Sequence, residues 1–510
     1  MQNMGTTSTG SPELLVELRR HLDRPLRAQL EDGLRDAARS GRLAAGARLP
    51  ATRALAADLG VSRRLVVEAY AQLLAEGYLT ARRGAGTYVS EAASAASAPP
   101  AALEPDPLSF DFFPGYPDLA SFPRRPWLRA LRETLATAPP SRLGYPDARG
   151  SLELRVALAE HLRRVRGVVA HPERIVVCSG TAQALVLLAR ALDGPHLAVE
   201  DPGLPPHRMI LAAHGARLSA LPIDAQGAQV AALPQIASHA GAVDGVLVTP
   251  AHQCPLGVAM APSRRAALLE WAAVGEGFVI EDDYDAEYRY DRAPLAALQG
   301  LAPDRIIYLG TVSKTLAPAL RLGWMVLPQQ LVEPVAEQRN LADHGAPTLE
   351  QLALARLIES GAYDRHLRQA RRRYCARRDA LIEAVQRHLP GARVSGLAAG
   401  LHVVVRLARA VDSDALLRAA AERSVAVYPL ALTYMRPPRQ GDGLVLGYAN
   451  LSERAIEAGI RALAAALGDL PKAREPGRPP LTRARQRGAP AGARVGPDAR
   501  TSAVRSPGTG

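Results

Sequence analysis

The sequence predicts two unlike folds in series: a winged helix-turn-helix at residues 13–90 and a large α/β unit with a mainly parallel sheet at 109–470. Three observations predict it. An Ala/Ser/Pro-rich stretch, SEAASAASAPPAALEPDP, divides the chain and has the composition of an extended linker, assigned to 91–108. Ahead of it, three short helical patterns run into two strand-like runs. Beyond it, short apolar runs alternate with longer helical segments, which is the order of a parallel α/β sheet.

Residues 1–12 are polar and predicted to be disordered, without the basic and apolar regions of a signal peptide. Leu26, Leu30 and Leu34 then recur at helical spacing before Gly41, and TRALAADLG gives a second short helix stopped at Gly60. The third opens at Ser62, a candidate N-cap, and places Val66, Ala69, Tyr70 and Leu73 on one face. YLTARRGAGTYVS reads as two strands around a glycine turn. In the larger unit the apolar runs 175–177, 196–199, 245–248, 278–280 and 306–309 are the predicted strands, and AQALVLLARAL is a representative helix. Polar residues just after such strands occupy the edge where ligands bind. Residues 471–510 are Pro/Gly/Arg-rich and predicted to be disordered.

Composition narrows the function. No run of about 18 apolar residues occurs, so no membrane partner is expected and the chain is read as cytoplasmic. The three cysteines (Cys178, Cys254, Cys375) form no CxxC pair or zinc spacing and read as reduced packing residues, with no metal. Net charge is +12, of which the tail from 471 supplies +7 (nine Lys/Arg less two Asp/Glu) and residues 13–90 supply +4 (thirteen less nine). The smaller excess is the one that falls on a candidate DNA reader.

In the third helix Arg63, Arg64 and Glu68 lie opposite the apolar face. Arginines at the front of a recognition helix reach guanine edges and phosphates, although a basic amphipathic helix is by itself also an ordinary solvated face. Arg82 and Arg83 beside Gly84 and Gly86 would let the wing approach the backbone. The string GRLAAGARLPATRALAADLGVSRRLVVEAYAQLLAEGYLTARRGAGTYV resembles the GntR family of bacterial repressors through G-x-L-x-x-G-x-x-L-P, R-x-L-A, G-V-S-R and G-x-G-T-x-V. That resemblance implies that Arg53, Ser62, Arg63 and Arg64 contact double-stranded operator DNA, with Gly84 and Gly86 shaping the wing. Arg64 departs from the small hydroxyl residue common there, which bears on the operator sequence.

Of 62 basic residues only Lys314 and Lys472 are lysine, and Lys314 alone lies outside the tail. Arginine replaces lysine as a solvated charge but cannot act as a nucleophilic amine. Chance survival of one lysine would leave the same composition, so its surroundings decide. Lys314 stands in GTVSKTLAPALRLGW with Thr311, Ser313 and Arg321, a mixture that suits a phosphate beside a Schiff base. In FVIEDDYD, Asp282 could hold a pyridinium nitrogen and Tyr284 a phenolic oxygen; alone, such an acidic run is also a helix cap or solvated loop. Gly180 and Thr181, in VVCSGTAQAL, fall between strand and helix, where an anion is favoured. His252 and Gln253 fall beside the expected cofactor edge, with a structural loop histidine the plainer reading.

In order, YPDARG, SGT, EDPG, TPAHQCPLG, EDDYD and SK resemble fold-type I aminotransferases, and more closely the MocR/GabR family, which joins a GntR-type domain to an aminotransferase-like domain. The resemblance implies pyridoxal 5′-phosphate (PLP) on Lys314, the catalytic amine of the family, with Asp282 at the ring nitrogen and Tyr284 at the phenolic oxygen. It places the phosphate among Gly180, Thr181, Thr311, Ser313 and Arg321, with Tyr145 reaching the phosphate of the partner subunit. Leu204 replaces a stacking tyrosine, and Asn450 falls at the position expected for the arginine that grips a substrate carboxylate. The expectation is a homodimeric, PLP-dependent transcriptional regulator whose effector is an amino acid, an amine or PLP itself, with little or no transaminase activity. A working aminotransferase and a PLP-sensing regulator of vitamin B6 synthesis are the alternatives.

Overall fold

The computed structural model describes residues 18–19, 24–82, 85–90, 108–275, 277–285, 287–290, 295–396, 399–437 and 440–470. The expected terminal segments 1–12 and 471–510, linker residues 91–107, and Arg83 and Gly84 of the wing lie outside the described residues. The chain divides into two units, Met1–Pro107 and Leu108–Gly510.

The small unit contains α1 (Leu26–Arg39), α2 (Thr52–Asp58), α3 (Arg63–Ala75), β1 (Leu79–Arg82) and β2 (Gly86–Val89). The two strands pair antiparallel from Leu79↔Val89 to Arg82↔Gly86, and Arg48 bridges Tyr88 on the far side of β2. Leu30, Leu34, Leu55, Val66, Ala69, Tyr70 and Leu73 form the core, as their spacing requires. Each fully buried leucine contributes about 1.5–3 kcal/mol. Ser62 caps α3 by accepting the Leu65 N–H at 3.3 Å, which fixes where the recognition helix begins.

The large unit is built on strands β3 (Phe110–Asp111), β4 (Ile175–Cys178), β5 (His196–Asp201), β6 (Arg217–Asp224), β7 (Gly227–Ala228), β8 (Gly245–Val248), β9 (Phe278–Asp282), β10 (Ile306–Thr311) and β11 (Gly323–Val326). Eight of them form one sheet in the order β4-β11-β10-β9-β8-β5-β6-β7. From β10 to β6 the neighbours are parallel; β11 runs antiparallel to β10 and β4. Both faces of the sheet are buried: Ile175, Val177 and Tyr308 pack into one cluster, Val176, Ile307 and Leu309 into another.

The helices that cover and extend this sheet are α4 (Arg124–Thr137), α5 (Leu152–Arg166), α6 (Thr181–Ala191), α7 (Pro205–Ala213), α8 (Leu233–Ala240), α9 (Pro262–Val274), α10 (Gln329–Asp343), α11 (Thr348–Glu359) and α12 (Ala362–His388). After them come β12 (Arg393–Ser395), β13 (His402–Asp412), α13 (Ser413–Ala421), β14 (Val425–Ala426), β15 (Tyr428–Pro429), β16 (Gln440–Gly447) and α14 (Glu453–Asp469). A second, antiparallel sheet has the order β12-β13-β16-β15, and β14 pairs with β3 to join the start of the unit to its end. Among the described residues no helix is long and apolar enough to cross a membrane.

Candidate functional site

Three parallel-sheet elements converge on one cavity of about 230 Å³. β4 delivers Gly180 and Thr181 at the start of α6, β9 delivers Asp282 and Tyr284, and β10 delivers Thr311, Ser313 and Lys314. Arg321 closes the ring from a left-handed turn at φ 50°. All eight of these predicted residues line the cavity, together with Phe113, Leu204, His207 and Cys254. Tyr145 does not: its side chain is exposed and lies edge-on to the His344 ring at 5.7 Å.

The acidic run that ends β9 divides its labour by side. Glu281 accepts the Leu298 and Gln299 N–H groups at 2.9 and 3.0 Å, and Asp283 pairs with Arg166 at 2.7 Å and accepts the Tyr308 hydroxyl. Asp282 and Tyr284 turn the other way, into the cavity. Asp285 bonds His252 Nδ1 at 2.9 Å.

Electrostatically the centre is tense. Burial, with Asp283, Asp285 and Glu200 adding repulsion, pushes the Asp282 carboxyl up to about 7 against the pull of Lys314. Both of its oxygens are buried and without a hydrogen-bond partner, with His207 Nδ1 at 3.7 Å. Burial lowers the Lys314 ammonium from its ordinary range, and its Nζ donates to the Gly115 carbonyl at 2.9 Å. His207 is pushed down to about 4, by burial first and then Lys314.

At the other end the cavity is built for an anion. Gly180 has φ 91°, and a Cβ there would lie 3.6 Å from Arg321 Nη1 and 3.7 Å from Thr311 Oγ1, filling the space the donors surround. The Arg321 guanidinium is held by the Ser179 carbonyl, and Thr311 Oγ1 donates to Ser313 Oγ at 3.0 Å. A carboxylate awaiting a proton donor, an amine with a lowered pKa and a polar helix N-terminus fit the ring nitrogen, aldehyde and phosphate of PLP.

One expectation needs correction. Asn450 does not face the cavity: past β16 the chain turns toward β3, and Asn450 Nδ2 donates to the Asp111 carbonyl at 3.0 Å. Arg436, an arginine in the loop before β16, is exposed and also absent from the lining. Conversely, nothing in the sequence singles out His207, Gly115 or Asp285 individually; the only signal is their place after strands or glycines.

In the small unit Arg53, Ser62, Arg63, Arg64 and Gly86 are exposed. Arg64 Nε pairs with Glu68 at 2.8 Å along one helix turn, while Arg82 lies over the Tyr88 ring at 4.7 Å. Arg48 was not anticipated: a Cβ at Gly86 would come within 3.2 Å of its Nε, so the glycine lets this guanidinium pack against the wing.

Residues 26–89 match the gntR family of bacterial regulatory proteins, and 116–463 match aminotransferase class I and II. Over 477 residues the chain is 35% identical to the probable rhizopine catabolism regulatory protein MocR of Rhizobium meliloti, covering 89% of this chain and 96% of that one. The chain belongs to the MocR family of transcriptional regulators. A second MocR-type relative, the pyridoxine biosynthesis transcriptional regulator PdxR of Corynebacterium glutamicum, is 34% identical over 453 residues, 87% of this chain and 96% of its own. The large unit of this MocR-family chain has the fold of a multiple substrate aminotransferase from Thermococcus profundus (TM-score 0.66, 26% identity, 72% of this chain and 92% of that one). It also resembles the kynurenine aminotransferase of Pyrococcus horikoshii (TM-score 0.65, 28% identity, 70% and 90%). The MocR architecture is therefore a GntR-type DNA-binding unit followed by a domain of a PLP-dependent fold family.

Proposed function

We propose that this chain is a cytoplasmic, homodimeric regulator that binds PLP on Lys314 and operator DNA through residues 13–90, with 109–470 as the effector domain. The observation that carries the cofactor reading is Asp282: a buried carboxyl with two unpartnered oxygens, in one cavity with Lys314 and Arg321. A cation-bearing ring would relieve that cost. When bound, PLP supplies an aldehyde that condenses with amines and a ring that withdraws electrons. Lys314 offers the amine, its ammonium form disfavoured by burial; Asp282 accepts the ring N–H; Tyr284 donates toward the phenolic oxygen. Gly180, Thr181, Thr311, Ser313 and Arg321 hold the phosphate, joined by Tyr145 of the other subunit.

In the DNA unit Arg53, Arg63 and Arg64 present guanidinium groups to bases and phosphates, Ser62 fixes the start of α3, and Gly84 and Gly86 let the wing approach the backbone. A small ligand in the effector domain repositions the two heads. One observation favours PLP itself over an amino acid as that ligand: among the described residues lining the cavity, Arg321 is the only guanidinium, and the phosphate takes it. A substrate carboxylate is then left without a partner. The naming of the relative PdxR for pyridoxine biosynthesis agrees with that preference.

The test is direct. Purified protein should be yellow, borohydride should abolish the visible band, and the reduced cofactor should map to the peptide holding Lys314. A Lys314→Ala protein that kept a reducible band would overturn the assignment.

A further inference from the structure

Behind Tyr284 stands a buried pair that the cofactor reading does not use. His252 and Asp285 are 2% and 1% exposed, and Nδ1 of His252 lies 2.9 Å from Asp285 Oδ2 and 3.1 Å from the Tyr284 hydroxyl. That hydroxyl in turn reaches the His252 carbonyl at 3.2 Å. A carboxylate accepts only, so the Asp285 contact fixes the His252 proton on Nδ1. The same N–H then faces the Tyr284 oxygen. With its lone pair engaged there, the tyrosine hydroxyl has its own proton free to donate, either to the carbonyl or into the cavity.

We propose that Asp285 and His252 are positioning residues: they hold the Tyr284 hydroxyl as a donor aimed at the cofactor's phenolic oxygen and so set the pH at which the Lys314 Schiff base loses its proton. The inference rests on the cofactor reading above. Its sign follows from charge. With PLP bound, the negative phenolic oxygen would hold the Schiff-base proton, and a Tyr284 hydroxyl that donates to that oxygen would weaken the hold. The relay therefore lowers the midpoint, and disrupting it raises the midpoint.

Other charged or titratable groups face this cluster. Cys254, Asp282 and Lys314 line the cavity beside Tyr284, and the His402 ring lies 5.2 Å from that of His252. His402 is held neutral, pushed down to about 4 by burial and then by His252, and its Nε2 bonds the Pro255 carbonyl at 3.0 Å. Among the described residues His252, Asp285 and His402 also stand close enough to share an ion. The short Asp285 and Pro255 contacts account for one nitrogen of each ring as a proton donor, which is what a relay requires.

The experiment is a pH titration of the visible band of full-length, PLP-loaded protein, with loading measured as bound phosphate. Tyr284→Phe sets the scale of losing the hydroxyl. His252→Leu should raise the midpoint by about one pH unit, the size of one lost hydrogen bond, while His252→Asn, which keeps an N–H near the Nδ1 position, should stay within a few tenths. A native midpoint in His252→Leu alongside a shifted one in Tyr284→Phe would overturn the relay. ¹⁵N-histidine spectra of the unaltered protein give a second reading that needs no variant to fold: the proton should be on His252 Nδ1, and an Nε2–H tautomer would refute the proposal. Failure of the cofactor reading is distinguishable, because the unaltered protein would then show no visible band to titrate.

Discussion

Asp282 makes the sharpest residue-scale prediction, because its carboxyl is raised to about 7 by burial and by its acidic neighbours. A folded-state pKa above the unfolded value means that the folded chain binds the extra proton. Stability from this group is fully present below about pH 4 and is lost as pH rises through 7. In cofactor-free protein Asp282→Asn should remove that loss, raising stability at pH 8 by on the order of 1–4 kcal/mol while changing little at pH 4. Urea unfolding at the two pH values measures it; an equal gain at both would show that the repulsion is not the cause. The same variant should lower PLP affinity. Asn450 makes the opposite kind of prediction. Its amide bonds the Asp111 carbonyl outside the cavity, so Asn450→Arg should cost roughly 1–3 kcal/mol of stability and give no gain in amino-acid half-reaction rate. Rapid-scan absorbance with a panel of amino acids checks this. That Lys314, Asp282 and Tyr284 share one cavity was legible because few residue types suit the chemistry expected of them. Asn450 was misplaced because position along a motif does not say which way a chain turns after a strand.

At the scale of elements, α3 separates folding from recognition. Ser62 holds the first turn through Leu65 N–H, so Ser62→Ala should cost about 1 kcal/mol in the stability of the small unit. Arg63→Ala should leave stability near native and weaken DNA binding by roughly 1–3 kcal/mol, with relaxed discrimination at one base pair. Gel shifts on a selected operator and a scrambled site distinguish the roles; equal loss on both makes Arg63 a phosphate anchor. The five predicted strands of the large sheet all exist, because buried parallel strands read as uninterrupted apolar runs. β6 escaped because its pattern is mixed, beginning at Arg217 and half-exposed along its length. β11 escaped because Gly323 and Trp324 look like the end of the lysine loop, although their antiparallel pairing with β10 and β4 completes the sheet beside the cavity.

The whole molecule is where the proposed dimer can be tested. Tyr145 is 89% exposed and absent from its own chain's cavity, as a residue that serves the other subunit would be. Mixing Lys314→Ala with Tyr145→Phe should therefore yield hybrid dimers with one fully native site and one doubly impaired. Tight PLP binding at half stoichiometry per hybrid would be the result expected, and no recovery over the separate variants would defeat the shared-site reading. DNA affinity should fall steeply with salt, since arginine contacts release counterions. Removing residues 471–510, which carry +7, should weaken binding to arbitrary duplexes and spare operator preference.

From Glu281 to Tyr284 alternate side chains go to opposite sides, so what these residues share is a count as much as a chemistry. Substituting one of them disturbs one partner. Deleting or inserting a single residue instead exchanges the two sides at once, turning Asp282 and Tyr284 away from the cavity while stranding Glu281 and Asp283 without the N–H groups and guanidinium that neutralise them. In a comprehensive library, substitutions across this segment should give graded phenotypes, whereas one-residue insertions and deletions should be null. A lineage can thus retune this cavity by point mutation, but it has no single-residue step by which to change the segment's length.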